Sequence, residues 1–133
     1  MEAKLTIHEH GAQAVVHELA ELDAVVAEAT SEALRASLPN IIFVEVPNGN
    51  SVSMVVGAPD TVLCFSYAHQ NPPYYVSKGA AHTDEPVLTA FVALEHRTEY
   101  PRRWVIPLPD GMRALHEFVA TGNLPTSIAW EEP

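Results

Sequence analysis

The 133-residue chain carries 17 acidic and seven basic residues, a net charge of −10 at neutral pH, and a single cysteine. This acidity argues against nucleic acid or an anionic membrane as the partner, and one cysteine excludes an intrachain disulfide. The length fits one domain, residues 1–133, with a core of its own. No stretch is as long and apolar as a membrane span, and the first residues lack a signal-peptide pattern, so we expect a cytoplasmic protein.

The first third of the chain predicts a strand followed by a helix. Residues 4–8 alternate as an opening strand does, and apolar residues recur every three or four positions from Leu19 to Ala33, which predicts an amphipathic helix near 18–36. Residues 12–17 have two interpretations. They either extend this helix backwards or, with Gly11 and the β-branched pair Val15 and Val16, form a hairpin with the opening strand.

From residue 41 onwards the apolar period changes to two, which is typical of strands. Clusters of Pro, Asn, Gly and Asp separate the alternating runs, and such short connections favour an antiparallel meander. The predicted strands are residues 41–47, 52–57, 62–69, 74–77, 87–96 and 103–107.

A second amphipathic helix is predicted over residues 110–121. Pro109 suits its first turn, Gly122 suits a left-handed residue at its end, and Pro125 prevents its continuation. Residues 127–131 then alternate as a last strand. The sequence therefore predicts an α+β fold, an antiparallel β-sheet meander with two amphipathic helices packed on it.

The sequence lacks the usual motifs of catalysis and cofactor binding. It has no glycine-rich phosphate loop and no nucleophile elbow, and we predict no cofactor, no metal and no enzymatic activity. His8-Glu9-His10 matches half of a zinc deaminase motif, but the cysteine pair of that motif is absent. The apolar run around Cys64 predicts a buried structural thiol. An alternative hypothesis is a small enzyme acting through His82, Asp84 or Glu85.

Two groups of residues are candidates for partner binding. On the first helix, carboxylates fall within about 80° of one another beside the apolar stripe; they form either a solvated face or a docking ridge for a basic partner. An adjacent tyrosine pair offers aromatic anchors, one of which should lie on the sheet face away from the helices. A polar loop adds a second acidic patch. The candidates are Glu18, Glu21, Glu28 and Glu32, then Tyr74 and Tyr75, then Asp84 and Glu85.

The last third of the chain contains the most specific pattern. A strand ends in Ile106-Pro107, a helix ends in Phe118-Val119-Ala120-Thr121-Gly122-Asn123-Leu124-Pro125, and a strand ends in Trp130-Glu131. This succession resembles family one of the immunity proteins of bacterial polymorphic toxin systems. We predict that the residues of this pattern are structural. Phe118, Ile128 and Trp130 should lie in the core, and Gly122 should cap the end of the helix.

The resemblance implies a small α+β inhibitor that binds the toxin domain encoded beside it and protects the producing cell. Toxins paired with such proteins include nucleic-acid deaminases. Our main hypothesis is therefore an immunity protein that covers the active site or substrate groove of a cognate toxin domain, which we expect to be basic. A further alternative is an accessory protein-binding subunit that has no toxin.

Overall fold

The computed structural model describes residues 1–7, 12–92 and 96–133. The two helices lie near the two predicted ones, and strands make up most of the remaining regular structure, which confirms the α+β class. In chain order the elements are β1 Ala3–Ile7, β2 Ala12–Val16, α1 Leu19–Ala36, β3 Asn40–Glu45, β4 Ser51–Val56, β5 Asp60–Thr61, β6 Leu63–Ser66, β7 Tyr75–Ser77, β8 Leu88–Val92, β9 His96–Tyr100, β10 Ile106–Pro107, α2 Leu108–Thr121 and β11 Trp130–Glu131.

The main sheet has the strand order β11-β7-β6-β4-β3-β1-β2, and each of these neighbours is antiparallel. The predicted meander is formed by β3, β4, β6 and β7, with the short β5 between β4 and β6 in the chain. One pairing departs from it, because β8 meets β3 in parallel where Phe91 lies beside Asn40. β9 continues from β8 as an antiparallel partner, and β5 pairs with β10 in a separate short ladder.

Both helices pack on the same face of this sheet. The buried stripe of α1, with Leu22 and Val26, and that of α2, with Leu115 and Phe118, belong to one hydrophobic cluster with the inward residues of the central strands. Each helix ends at a residue in the left-handed conformation, Ser37 with φ 55° and Gly122 with φ 72°. Glycine adopts this conformation without steric cost, so the predicted cap at Gly122 is confirmed.

The opposite face of the sheet is only partly covered. A second cluster lies there beneath the β8–β9 hairpin and a 3₁₀ turn, Arg102–Trp104; its buried members are Ile41, Val55, Val62, Val76, Ala90, Tyr100 and Val105. Beyond this cluster the residues that the structure describes leave the face open. Val15, Lys4 and Glu45 lie side by side on neighbouring strands and are exposed. This uncovered area borders the β2 edge of the sheet.

Of the two interpretations of residues 12–17, the hairpin is the correct one. Ala12–Val16 is a strand that pairs antiparallel with β1, from Ile7 beside Ala12 to Ala3 beside Val16. The β-branched pair Val15 and Val16 suits a half-buried pleated strand, and the helix begins only at Leu19. The interpretation as one long helix from residue 12 is wrong.

Several predicted strands were wrong in extent. The run 87–96 is not one strand, because β8 ends at Val92 and a new strand begins at His96. The run 103–107 is a strand only at Ile106–Pro107. Its first part turns in a 3₁₀ helix, where the N–H groups of Trp104 and Val105 donate to the carbonyls of Pro101 and Arg102. The predicted run 62–69 is shorter, since β6 covers only Leu63–Ser66.

Candidate partner-binding surfaces

The four carboxylates of α1 form a ridge along one flank of that helix. Glu18, Glu21 and Glu28 are exposed and Glu32 is half-exposed, whereas the neighbouring stripe with Leu22 and Val26 is buried. With 100° per residue, this flank lies about 90° from the centre of the buried stripe. We call Glu18, Glu21, Glu28 and Glu32 the acidic ridge.

The position of α2 shows which way the acidic ridge faces. On the other flank of α1, Asp23 contacts α2, where its carboxylate lies 2.6 Å from Nε2 of His116. The acidic ridge is therefore on the side away from α2. Since Phe118 of α2 packs against Phe65 of β6, α2 covers the β6 half of the sheet, and the ridge lies toward the β2 edge.

The carboxylates of the ridge have little compensation. Glu21 accepts a hydrogen bond from the backbone N–H of His17 at 3.1 Å, which helps to start the helix. Glu18, Glu28 and Glu32 form no ion pair within the described residues. Glu2 adds a further carboxylate nearby, 3.9 Å from Nδ1 of His17. The ridge thus projects unneutralised negative charge.

The two tyrosines have different environments. Tyr75 packs on the helix side in an aromatic cluster, with ring centroids 6.4 Å from Phe65 and 6.3 Å from Tyr67, and desolvation raises its pKa. Tyr74 is 41% exposed, and its hydroxyl donates to the carbonyl of Gln70 at 2.8 Å. Tyr74 is therefore the member of the pair that a partner can reach without disturbing the core.

The loop with the second acidic patch is exposed and tied down by arginines. Nη1 of Arg103 lies 3.0 and 3.1 Å from the two carboxylate oxygens of Asp84, and the N–H of Arg102 donates to the carbonyl of Asp84. These contacts give Asp84 a structural role and neutralise its charge. Glu85 and His82 are exposed as well, so the three side chains of the enzyme hypothesis do not line an enclosed cleft.

The acidic ridge and the tyrosines lie at opposite ends of the sheet. In the strand order, β7 with Tyr75 is separated from β2 by β6, β4, β3 and β1, which at roughly 4.8 Å per strand amounts to about 24 Å. The structure does not bring the two candidate groups together into one compact site.

Three further features bear on the chemistry of the chain: the His8-Glu9-His10 motif, possible metal ligands and Cys64. His8, Glu9 and His10 lie outside the described residues. Within residues 1–7, 12–92 and 96–133, no group of three His, Cys, Asp or Glu side chains could hold a metal ion, and no helix is long and apolar enough to cross a membrane. Cys64 is half-buried on the sheet face away from the helices, and desolvation raises the pKa of its thiol.

The C-terminal pattern forms a hydrogen-bonded cluster around the end of α2. The carboxylate of Glu117 accepts from the N–H and hydroxyl of Thr126 and from the N–H of Ser127; these bonds lower its pKa. Nε1 of Trp130 donates to the carbonyl of Pro125 at 2.8 Å. The pattern therefore fixes the chain that leaves α2 and returns to the sheet as β11.

Two asparagines that the sequence marked only as turn residues complete this cluster. Nδ2 of Asn48 and Nδ2 of Asn50 both donate to the carbonyl of Gly122, at 2.9 and 2.8 Å. Oδ1 of Asn50 accepts from the N–H of Ala68. They connect the β3–β4 turn to the end of α2 across more than 70 residues of sequence. No local sequence pattern predicts such a contact.

The family is decided by a match that covers most of the chain. Residues 10–132 match the family model for Immunity protein Imm1. The chain belongs to this immunity protein family. No curated protein matches it significantly. The match includes the acidic ridge and the C-terminal cluster. Membership implies that the partner of this immunity protein is a toxin.

Proposed function

We propose that this immunity protein neutralises one cognate toxin by binding the toxin domain and covering its active site or substrate groove, with the acidic ridge facing a basic surface of the toxin. The observation that supports this is the ridge itself. Four carboxylates lie along one flank of α1, and none of them forms an ion pair within the described residues.

A nucleic-acid-targeting toxin, such as a deaminase or a nuclease, would supply the complementary surface. Such enzymes carry a basic groove because phosphate contacts dominate nucleic-acid binding. An inhibitor that presents carboxylates in place of phosphates can occupy that groove and be steered to it over long range. The chain's net charge of −10 likewise favours a partner with a positively charged surface.

Affinity requires more than charge, because exposed charges contribute mainly to association rate and specificity. Aromatic side chains are frequent anchors of interfaces. Tyr74 and Tyr75 are the proposed anchors, with Asp84 and Glu85 as an additional rim. Tyr74 is the better probe of the two, since Tyr75 also supports the aromatic cluster around Phe65.

The test is co-expression of the immunity protein with the toxin domain encoded beside it, in cells where the toxin alone stops growth. Rescue by the wild type, together with a one-to-one complex of the purified proteins, would support the proposal. Failure of the wild type both to rescue growth and to bind the toxin domain would overturn it.

A matched pair of variants then tests the ridge. Glu28→Lys reverses a charge on the ridge, and Glu99→Lys makes the same change in net charge at an exposed position of β9. We expect Glu28→Lys to slow toxin association and flatten its salt dependence more than Glu99→Lys does. Equal effects of the two variants would attribute the steering to net charge rather than to the ridge.

A further inference from the structure

The strand β2 ends the main sheet, and no strand among the described residues pairs with its outer side. In the described part of the chain it pairs only with β1. A strand in this position presents a row of unpaired backbone N–H and C=O groups to solvent. Its five residues make β2 a long enough template for a further strand.

The other sheet ends are protected, and β2 is not. β11 has only two residues, and β9 carries a charged pair, in which Nη2 of Arg97 lies 2.6 Å from Oε1 of Glu99. Short length and charged side chains are the usual ways in which proteins block unwanted strand pairing. The sequence of β2, Ala-Gln-Ala-Val-Val, contains no charge and no proline.

The two sides of the β2 edge differ in chemistry. Val15 is 54% exposed and lies on the open face, beside Lys4 in the register. Val16 faces the helices and is buried. On that helix side the outer flank of α1 carries the acidic ridge, which begins at Glu18, two residues after β2 ends. A strand added at this edge would meet an apolar side chain on the open face and carboxylates on the helix side.

We propose that the toxin docks by adding an extended segment to β2, with basic side chains directed toward the acidic ridge and apolar side chains directed toward Val15. Because successive residues of a strand point to opposite faces, such a segment alternates between lysine or arginine and apolar residues. Backbone hydrogen bonds along β2 give affinity, and the acidic ridge selects a segment in which every second side chain is basic. This inference rests on the proposed function and specifies where and how the toxin is bound.

A second copy of this chain is the competing occupant of the edge. Two β2 strands could pair, but each copy would bring its own acidic ridge to the shared edge. Like charges brought together in this way oppose association. Charge complementarity therefore favours the basic toxin segment over a homodimer.

Amide hydrogen exchange followed by NMR provides the direct test. We compare the free protein with its complex with a catalytically inactivated form of the adjacent toxin domain. The amides of β2 that do not point toward β1 should exchange at least about tenfold more slowly in the complex, while those of β9 should change little. A complex in which the outward β2 amides exchange as fast as in the free protein would overturn the inference.

Two matched substitutions separate strand addition from docking on the open face. Val15→Lys and Ser53→Lys both place a lysine on the open face, the first at the edge strand and the second on the central strand β4. We expect Val15→Lys to raise the dissociation constant by about tenfold or more and Ser53→Lys by less than about threefold. The reverse order would place the toxin on the open face instead.

The outcomes also distinguish this inference from the function on which it rests. If the wild type neither binds nor rescues, the proposed function fails. If it binds and rescues, but Val15→Lys behaves like the wild type and the β2 amides stay unprotected, only the docking mode fails. A dimer of the free protein with protected β2 amides would show that a second copy occupies the edge, and would overturn the inference.

Discussion

The two halves of the sheet are stabilised in different ways. Under α2, side-chain hydrogen bonds hold the end of the helix. Asn50 joins it to the β3–β4 turn by its bond to Gly122, and Glu117 joins it to Thr126 in the segment that follows. Under α1, β1 and β2 are held by apolar packing, and the carboxylates of the outer flank form no ion pair with any described residue. The α2 half is a cross-linked structure, whereas the α1 half leaves its edge and its charges available.

This difference separates the residues that carry the family pattern from those proposed to bind. Phe118, Gly122 and Trp130 belong to the pattern and all serve the fold, in the core, at the helix cap and in the return to the sheet. The acidic ridge and the β2 edge make few internal contacts. Substitutions in the α2 half should therefore change stability, and substitutions in the α1 half should change toxin binding.

The largest expected effect is that of Phe118→Ala. The side chain is 0% exposed and its ring meets that of Phe65 edge to face, with centroids 5.9 Å apart. Removing it leaves a cavity, and we expect the free energy of unfolding to fall by about 3–5 kcal/mol in urea titrations. Leu34→Ala, at a position 61% exposed on α1, should change it by less than about 0.5 kcal/mol. A loss below about 1 kcal/mol for Phe118→Ala would contradict its place in the core.

The next effect is that of Asn50→Ala, which tests the connection across the α2 half. The change removes the bond from Nδ2 to the Gly122 carbonyl and leaves the N–H of Ala68 without its acceptor. The loss of these two bonds, of which the one to Gly122 is buried, costs free energy, so we expect a loss of about 1–3 kcal/mol. The control is Asn71→Ala on an exposed loop. Equal stabilities of the two variants would show that the cluster does not cross-link this half.

The same division explains what the sequence could predict. Local signals were sufficient for α2, because the proline near its start, its apolar stripe and Gly122 all lie within the segment that they specify. They were insufficient for the pairing of β8 with β3 and for the Asn50–Gly122 contact, which join chain segments far apart in sequence. The acidic ridge followed from helical spacing, but its direction depends on the Asp23–His116 contact with α2. Likewise, only the register of β2 on β1 shows that its other edge is free.

A smaller effect, which depends on pH, is expected for Glu117→Gln. Hydrogen bonds from Thr126 and Ser127 favour the carboxylate and lower the pKa of Glu117 in the folded protein. The stability that they contribute is therefore present above the unfolded pKa and is lost as the pH falls through the folded pKa. We expect Glu117→Gln to cost about 1 kcal/mol at pH 7, since solvent screens these charge-assisted bonds.

Melting temperatures measured from pH 7 to pH 3 test whether the contribution of the Glu117 carboxylate to stability is lost as the pH falls. The difference between the wild type and Glu117→Gln should narrow as the pH falls, because the wild type loses the contribution that the variant already lacks. Glu132→Gln is the control, with a carboxylate beyond β11 that accepts none of these bonds. A difference that stays constant down to pH 3 would contradict the role of the ionised carboxylate in the cluster.

The smallest effect is expected on the ridge, where stability and binding should change in opposite directions. Glu28 and Glu32 stand four residues apart on α1, and like charges at this spacing destabilise a helix. Glu28→Gln removes the repulsion while keeping a good helix former, so we expect a gain of about 0.2–0.5 kcal/mol at low salt that shrinks at high salt. The same variant should associate with the toxin more slowly, since it weakens the attraction to a basic surface. Urea titrations and association rates measured at two ionic strengths test both expectations. A loss of stability above about 1 kcal/mol would mean that the Glu28 carboxylate supports the fold, and the two halves would then not differ in the way proposed.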